Sequence, residues 1–214
     1  MSSTTRLLVD VAQYYSEKLA EHGNSARGVD WNGEDSQFAR FDQLARILHH
    51  DAAFTINDLG CGYGAFLDYL QARFRDISYV GTDISSDMIE AAQARHAHNL
   101  KARFIVAAEP DAIADYGVAS GIFNVRLGYN DKEWQGYVET TLDSLDRTSR
   151  TGFAFNCLTT YSDQDRRRPH LYYADPCVIF DLCKRRYSRQ VALLHDYGLY
   201  EFTILVRKQP WQSR

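Results

Sequence analysis

The stretch AFTINDLGCGYG, residues 53–64, joins a short apolar run to a turn that contains three glycines. The β-branched and aromatic residues of AFTIND predict a strand, and GAFLDYLQARF, residues 64–74, predicts a helix. Gly60, Gly62 and Gly64 lie between the two, where residues without Cβ permit unusual backbone angles and a close approach of a ligand to the main chain. The segment therefore predicts a strand, a ligand-binding turn and a helix.

The same alternation continues toward the C-terminus. Further strands are predicted over residues 77–83, 102–108, 117–126 and 151–159, with helices over 86–98 and 131–149. Because a parallel connection needs about a dozen residues to return to the same edge, this order predicts parallel strands with crossover helices. A helix over 177–188 then precedes strands over 190–198 and 199–208, whose short connection around Gly198 makes them antiparallel.

The N-terminal region has a different pattern. Apolar residues at helical spacing predict two helices, one through Leu7 and Leu19 and one through Phe38 and Leu48, with Asp35 or Ser36 as candidate caps. The fold class predicted is α/β: a Rossmann-like, seven-stranded, mostly parallel sheet with an antiparallel C-terminal strand pair and an N-terminal helical cap. The predicted division is residues 1–50 for the cap and residues 51–214 for the ligand-binding domain.

A second acidic residue supports a nucleoside-bearing ligand. Asp83 ends the second predicted strand, 25 residues after Asp58, where a carboxylate can accept two hydrogen bonds from a ribose diol. A nicotinamide or flavin dinucleotide site is the main rival, since Gly60, Gly62 and Ala65 also satisfy GxGxxA. Asp58 would face the pyrophosphate anion of such a ligand, however, and suits a cationic ligand better.

Asp58, the three glycines and the later Gly81-Thr82-Asp83 resemble the first two motifs of the class I S-adenosylmethionine-dependent methyltransferases. The resemblance spans about residues 53–208. It implies S-adenosylmethionine as the cofactor, with its methionine portion on Asp58 and the glycine loop, its ribose on Asp83 and its adenine near Ile84. The cofactor-binding residues that it implies are Asp58, Gly60, Cys61, Gly62, Gly64, Asp83, Ile84, Ala108, Glu109 and Asn124.

Methyl transfer from a sulfonium is an in-line displacement, so the enzyme mainly aligns the reactants and excludes water. A nearby base helps an amine or hydroxyl acceptor, and the candidates are His170 and Asp163 in the connector over residues 160–175. Aromatic residues in this connector and in the N-terminal region suit the walls around a small, partly apolar substrate. The predicted substrate-binding residues are Tyr14, Trp31, Arg126, Tyr161, Tyr172 and Tyr173.

Composition and charge exclude several other classes. A net charge of −4 provides no overall basic field for nucleic acid, and no apolar run approaches the roughly 20 residues that span a membrane. The N-terminus shows no secretory signal, so a cytoplasmic location is expected. The four cysteines show no metal-ligand spacing. Exposed aromatics near the N-terminus would permit a homodimer.

The sequence leaves alternatives for two features: the class of function and the role of a basic run. A nucleotide-dependent oxidoreductase and a noncatalytic S-adenosylmethionine-binding protein are the alternatives to a methyltransferase that acts on a small molecule. The basic run Arg166 to Arg168 fits either a solvated surface or the mouth of a site that attracts an anionic substrate.

Overall fold

The computed structural model describes residues 3–49 and 53–208. The helices are α1 Ser3–His22, α2 Glu34–Ala45, α3 Ala65–Gln71, α4 Ser86–Arg95, α5 Asp131–Thr148 and α6 Pro176–Arg186, with short 3-10 turns at Ala26–Val29 and Gln164–Arg166. The strands are β1 Phe54–Leu59, β2 Ile77–Asp83, β3 Ala102–Val106, β4 Ala114–Ala119, β5 Ser149–Leu158, β6 Gln190–Leu194 and β7 Glu201–Arg207.

The seven strands form a single sheet in the order β3-β2-β1-β4-β5-β7-β6. Strands β1 to β5 pair in parallel, and β7 pairs antiparallel with both β5 and β6. The predicted fold class is therefore confirmed. Strand order reverses direction between β1 and β4, and the crevice at the carboxyl ends of such strands is where ligands bind in open α/β sheets.

Two local predictions were wrong. The fourth strand covers Ala114–Ala119 rather than 117–126, because the chain turns out of the sheet at Gly121, which has a φ of +77°. The apolar residues that suggested a longer strand pack in that turn, where the carbonyl of buried Phe123 accepts a hydrogen bond from Trp134 Nε1. Neither Asp35 nor Ser36 caps α2, which begins at Glu34; the Ser36 hydroxyl donates to the Gly33 carbonyl.

Buried apolar residues cover both faces of the sheet. One cluster joins α2, α3 and α4 to the sheet through residues such as Phe41, Leu70 and Ile89. The other joins α5 and α6 to the opposite face, and Leu7 and Val11 of α1 belong to it. Helix α1 thus packs against α4 and α5. The division at residue 50 stays a prediction.

Among the described residues, no helix has the length and apolar character needed to cross a membrane. The sequence WQSR, residues 211–214, is expected to fray, and it lies outside the described residues.

Candidate active site

The glycine loop follows β1 directly, and its geometry requires glycine. Gly60, Gly62 and Gly64 have φ angles of +74°, +53° and +82°. A Cβ on Gly60 would lie 2.1 Å from Cγ2 of Ile122, so both the backbone angle and the space exclude a side chain there. The amides of Gly60 and Cys61 donate to the Thr82 carbonyl at 2.7 and 2.9 Å, which fixes the loop against the end of β2.

Asp83 ties the same loop to the start of α4. Its Oδ2 accepts a hydrogen bond from the Gly62 amide and its Oδ1 accepts one from the Ser85 amide, both at 2.9 Å. Burial raises the pKa of Asp83, while these amide bonds act in the opposite direction. Each carboxylate oxygen can accept further hydrogen bonds, so Asp83 can still bind a ligand diol.

Asp58 is the second buried acid at this edge of the sheet. Its residue is 2% exposed, and the Tyr79 hydroxyl donates to its Oδ2. Burial raises the pKa of Asp58 to about 7; the Tyr79 hydrogen bond lowers it and the charge of Asp83 raises it. A cation beside Asp58 would favour the ionised form, so this acid suits a positively charged ligand.

A cleft of about 660 Å³ opens above these residues, and we call it the cofactor cleft. Its floor is formed by residues at the strand ends, including Gly60, Asp83, Ile84 and Ala108. Its other walls come from Leu8, Val11 and Tyr15 of α1 and from Tyr137 and Thr141 of α5. The cleft is largely apolar with a few polar groups, as is usual for sites that bind small organic cofactors.

Ser120 is a polar group in this cleft that the sequence analysis missed. It follows β4 at the point where strand order reverses, and it also lines a smaller recess that contains Asp58. Its Oγ is buried and has no hydrogen-bond partner among the described residues. Because buried polar groups are normally paired, this hydroxyl is available to bond a ligand in the cleft.

A second, larger cleft of about 2020 Å³ adjoins the first, and we call it the acceptor cleft. Tyr15, Val29 and Trp31 line both clefts. The Trp31 ring lies 3.8 Å from the Arg40 guanidinium carbon, and a Cβ on Gly121 would come within 2.4 Å of it. Trp31, an isolated aromatic in a polar loop of the sequence, therefore forms part of the wall between the clefts.

The floor of the acceptor cleft contains a buried ion pair that the sequence did not reveal. Arg40 of α2 and Glu201 of β7 are 6% and 1% exposed, and Nε and Nη2 of Arg40 each lie 2.8 Å from a different oxygen of Glu201. Asn124 and Asn156 donate their amide N–H groups to the same carboxylate. Asn124 is thus placed in the acceptor cleft rather than in the cofactor cleft. No short motif could have indicated a pair 161 residues apart.

Several predicted residues line these cavities. Gly60, Gly62, Asp83, Ile84 and Ala108 line the cofactor cleft. Asp58 and Cys61 line the recess beside it. Tyr14, Trp31, Tyr173, Asn124 and His170 line the acceptor cleft, where the His170 ring lies 6.4 Å from that of Tyr14.

Other predicted residues lie outside both clefts because they have partners elsewhere. Glu109 turns away to pair with Arg147 and Ser144 of α5. Arg126 bonds to Asp131 and to the Pro169 carbonyl, and Asp163 accepts a hydrogen bond from Tyr200. Among the remaining residues, Gly64 packs against His96, Tyr172 packs near Trp134, and Tyr161 is 69% exposed beside His195.

Comparison with known proteins agrees with this geometry. Residues 57–146, which include the glycine loop and Asp83, match a family model described as a methyltransferase domain. A Mycobacterium tuberculosis relative named as a methyltransferase, Rv1506c, is 62% identical over 163 residues, covering 76% of this chain and 98% of the relative. The chain belongs to the methyltransferase family. As a methyltransferase, it is an enzyme of the class that the sequence predicted.

Solved structures of other methyltransferases have a similar fold. NodS, an N-methyltransferase from Bradyrhizobium japonicum solved with S-adenosyl-L-homocysteine, matches with a TM-score of 0.65 at 14% identity over 93% of this chain and 98% of that one. A Burkholderia thailandensis N1-methyltransferase of 1,6-didemethyltoxoflavin matches with a TM-score of 0.65 at 13% identity over 98% and 92% of the two chains. The predicted resemblance to the S-adenosylmethionine-dependent methyltransferases is confirmed.

Proposed function

We propose that this methyltransferase transfers a methyl group from S-adenosylmethionine in the cofactor cleft to a small molecule in the acceptor cleft. The observation that carries the proposal is the shared wall of the two clefts, formed by Tyr15, Val29 and Trp31. Ligands in these clefts would lie on either side of these three residues, so transfer requires an opening between their side chains. In-line transfer requires that donor and acceptor be held in contact at one point.

The residues present fit the cofactor. Asp83 can accept hydrogen bonds from the ribose hydroxyls, and Ser120 has a buried hydroxyl available for the methionine portion. Asp58 supplies a carboxylate beside the glycine loop whose ionisation a cationic ligand would favour. When bound, S-adenosylmethionine supplies an electrophilic methyl carbon on a positively charged sulfur.

The protein contributes alignment and the exclusion of water. Leu8, Val11 and Tyr15 of α1 cover the cofactor cleft with apolar surface, which favours a desolvated reaction site. We propose that the N-terminal segment, together with the connector over residues 160–175, closes over the cofactor as a lid. Trp31 and Tyr173 provide the aromatic surface that a partly apolar acceptor would contact.

His170 is the candidate base for an amine or hydroxyl acceptor. The tyrosines beside it are unsuited to this role, because burial raises the pKa of Tyr14 and of Tyr15 well above the ordinary value. Glu201 is held by Arg40, and Asp30 accepts a hydrogen bond from the Tyr14 hydroxyl at 2.8 Å. A positioned base typically contributes a factor of about 10² to 10⁴ in rate.

The remaining predictions concern partners and location. Relatives of the same fold include a methyltransferase solved with the small molecule 1,6-didemethyltoxoflavin, which supports a small acceptor here. The net charge of −4 supports the prediction that nucleic acid is not a substrate. The homodimer and the cytoplasmic location stay predictions; sedimentation of the purified protein tests the first.

The Asp83→Ala variant is expected to bind S-adenosylmethionine more weakly by about 1–3 kcal/mol, because ribose hydroxyls would lose their partner in a buried site. Isothermal titration of the parent and the variant measures the difference. Asp111→Ala is the matched control, since Asp111 is an exposed acid paired with Arg103 outside the cleft. Equal affinities in parent and Asp83→Ala would contradict the ribose assignment, and tighter binding of NAD than of S-adenosylmethionine by the parent would contradict the proposed function.

A further inference from the structure

The acceptor cleft carries more positive than negative charge, although the whole chain has a net charge of −4. The charged residues that line it are Lys18, Arg40, Arg166 and Arg168, against Asp30 and Glu201. Both acids are already engaged. Glu201 is bound by Arg40 in the floor, and Asp30 lies 3.6 Å from the Lys18 amine and accepts the Tyr14 hydroxyl. The excess positive charge therefore comes from Arg166 and Arg168.

The guanidinium groups of these two arginines have spare hydrogen-bond donors. Arg168 donates through Nη1 to the carbonyls of Asp165 and Arg167, and it forms no ion pair among the described residues. Arg166 lies 3.7 Å from the carboxylate of its neighbour Asp165, and both of these side chains are exposed. An exposed pair of this kind contributes little to stability, so Arg166 can exchange Asp165 for a ligand at low cost.

The intervening arginine has a different role. Arg167 donates from its guanidinium to the carbonyls of Ser162 and Thr160, and it lies 5.3 Å from the centre of the Tyr173 ring. The Arg168 amide donates to the Tyr173 hydroxyl at 2.9 Å. Arg167 and Tyr173 thus hold the backbone of the basic run in place, while the side chains on either side of Arg167 line the cleft.

The connector that carries these arginines is also anchored to the sheet. Leu171 forms a bridge with Val125, and Ala174 forms one with Thr159. The backbone of the basic run is therefore held at the acceptor cleft, whose lining also includes the aromatic residues Tyr14 and Trp31. A guanidinium in a fixed position recognises planar or tetrahedral oxyanions by paired hydrogen bonds.

We propose that the acceptor is an anionic small molecule whose carboxylate or phosphate group is bound by Arg166 and Arg168 at the rim of the acceptor cleft. This inference rests on the proposed function and names its substrate class. The aromatic residues of the cleft contact the body of the molecule, and its nucleophilic atom lies toward the wall shared with the cofactor cleft. The anionic group fixes the orientation of the acceptor before methyl transfer.

The test uses the full chain saturated with S-adenosylhomocysteine and three probes of similar size: phenyl phosphate, benzoate and phenol. Ligand-observed NMR titration at pH 8 measures the affinity for each probe. At least one anionic probe is expected to bind tenfold or more tightly than phenol, and the tighter of the two identifies the anion as phosphate or carboxylate. The advantage should shrink as salt concentration rises, since exposed charges are screened.

The Arg166→Glu/Arg168→Glu variant is expected to lose this tenfold advantage and to retain phenol binding. The control is Arg103→Glu/Arg185→Glu, which reverses two exposed arginines that lie outside the cleft and are each paired with an aspartate. An anionic preference that is missing in the parent, unchanged in the cleft variant or equally lost in the control would overturn the inference. S-adenosylhomocysteine affinity is measured first in all three proteins, so failure of the proposed function appears separately, as a parent that does not bind it.

Discussion

The Asp58→Asn variant is expected to be more stable than the parent at pH 8, with a free energy of unfolding about 2–4 kcal/mol higher. The substitution removes a carboxylate from the candidate active site. The parent must keep a carboxylate ionised in a site that is 2% exposed, and burial raises its pKa from 3.8 to about 7. Each pKa unit corresponds to about 1.4 kcal/mol, so ionisation of Asp58 destabilises the folded state by up to about 4 kcal/mol. Asparagine carries no charge and can still accept the Tyr79 hydroxyl.

The free energy of unfolding of the parent should also depend on pH in a way that the variant lacks. Between about pH 4 and pH 7 the folded parent binds the Asp58 proton more tightly than the unfolded chain does, so its free energy of unfolding falls as pH rises. Above pH 7 both states are ionised and this contribution is constant. The gap between variant and parent should therefore grow from pH 5 to pH 8 in urea titrations.

Asp111→Asn is the control for the stability measurement, because Asp111 is exposed and the Arg103 guanidinium lowers its pKa. Its removal should give no stabilisation at pH 8. If Asp58→Asn and the parent had equal free energies of unfolding at pH 8 and the same dependence on pH, the ionised Asp58 carboxylate would not destabilise the fold.

The ionised Asp58 carboxylate, which destabilises the fold, should strengthen cofactor binding. A cation beside the carboxylate favours its ionised form, so the affinity of the parent for S-adenosylmethionine is expected to fall roughly tenfold per pH unit below pH 7. The Asp58→Asn variant should bind more weakly at pH 8 and show no such slope. A group that destabilises the fold and improves binding is typical of a functional site.

The Arg40→Met variant is expected to lose about 3–5 kcal/mol of stability, because it leaves the Glu201 carboxylate buried without its cation. The loss should be larger than that from most single substitutions. Asn124 and Asn156 still donate to Glu201, but neither supplies a positive charge. Urea unfolding at pH 8 measures the loss.

A double variant separates charge from packing. Arg40→Met/Glu201→Gln removes the buried charge together with its partner, so it should recover at least half of the stability that Arg40→Met loses. Arg46→Met is the control, since Arg46 is an exposed arginine at the end of α2. A single variant within about 1 kcal/mol of the parent would show that the pair does not carry the expected energy.

The sequence predicted the parts of the site that depend on neighbours in the chain. The glycine loop and Asp58 lie within seven consecutive residues, and Asp83 ends the next strand. Parallel pairing of β1 with β2 brings these features together, with Asp58 opposite Gly81. Glu109 and Ser120 were harder. Glu109 pairs with Arg147 and Ser144 of α5, which the local pattern does not contain, and the place of Ser120 depends on the pairing of β4 with β1.

Local sequence patterns predicted the α/β alternation, the cofactor loop and its two acids, since these depend on local periodicity and on steric limits of the backbone. Only the tertiary structure placed β7 between β5 and β6 and brought Arg40 to Glu201 across 161 positions. It also decided that α1 lines the cofactor cleft and that Arg166 and Arg168, rather than Arg167, line the acceptor cleft. Contacts of this kind depend on packing between distant segments, and no local pattern encodes them.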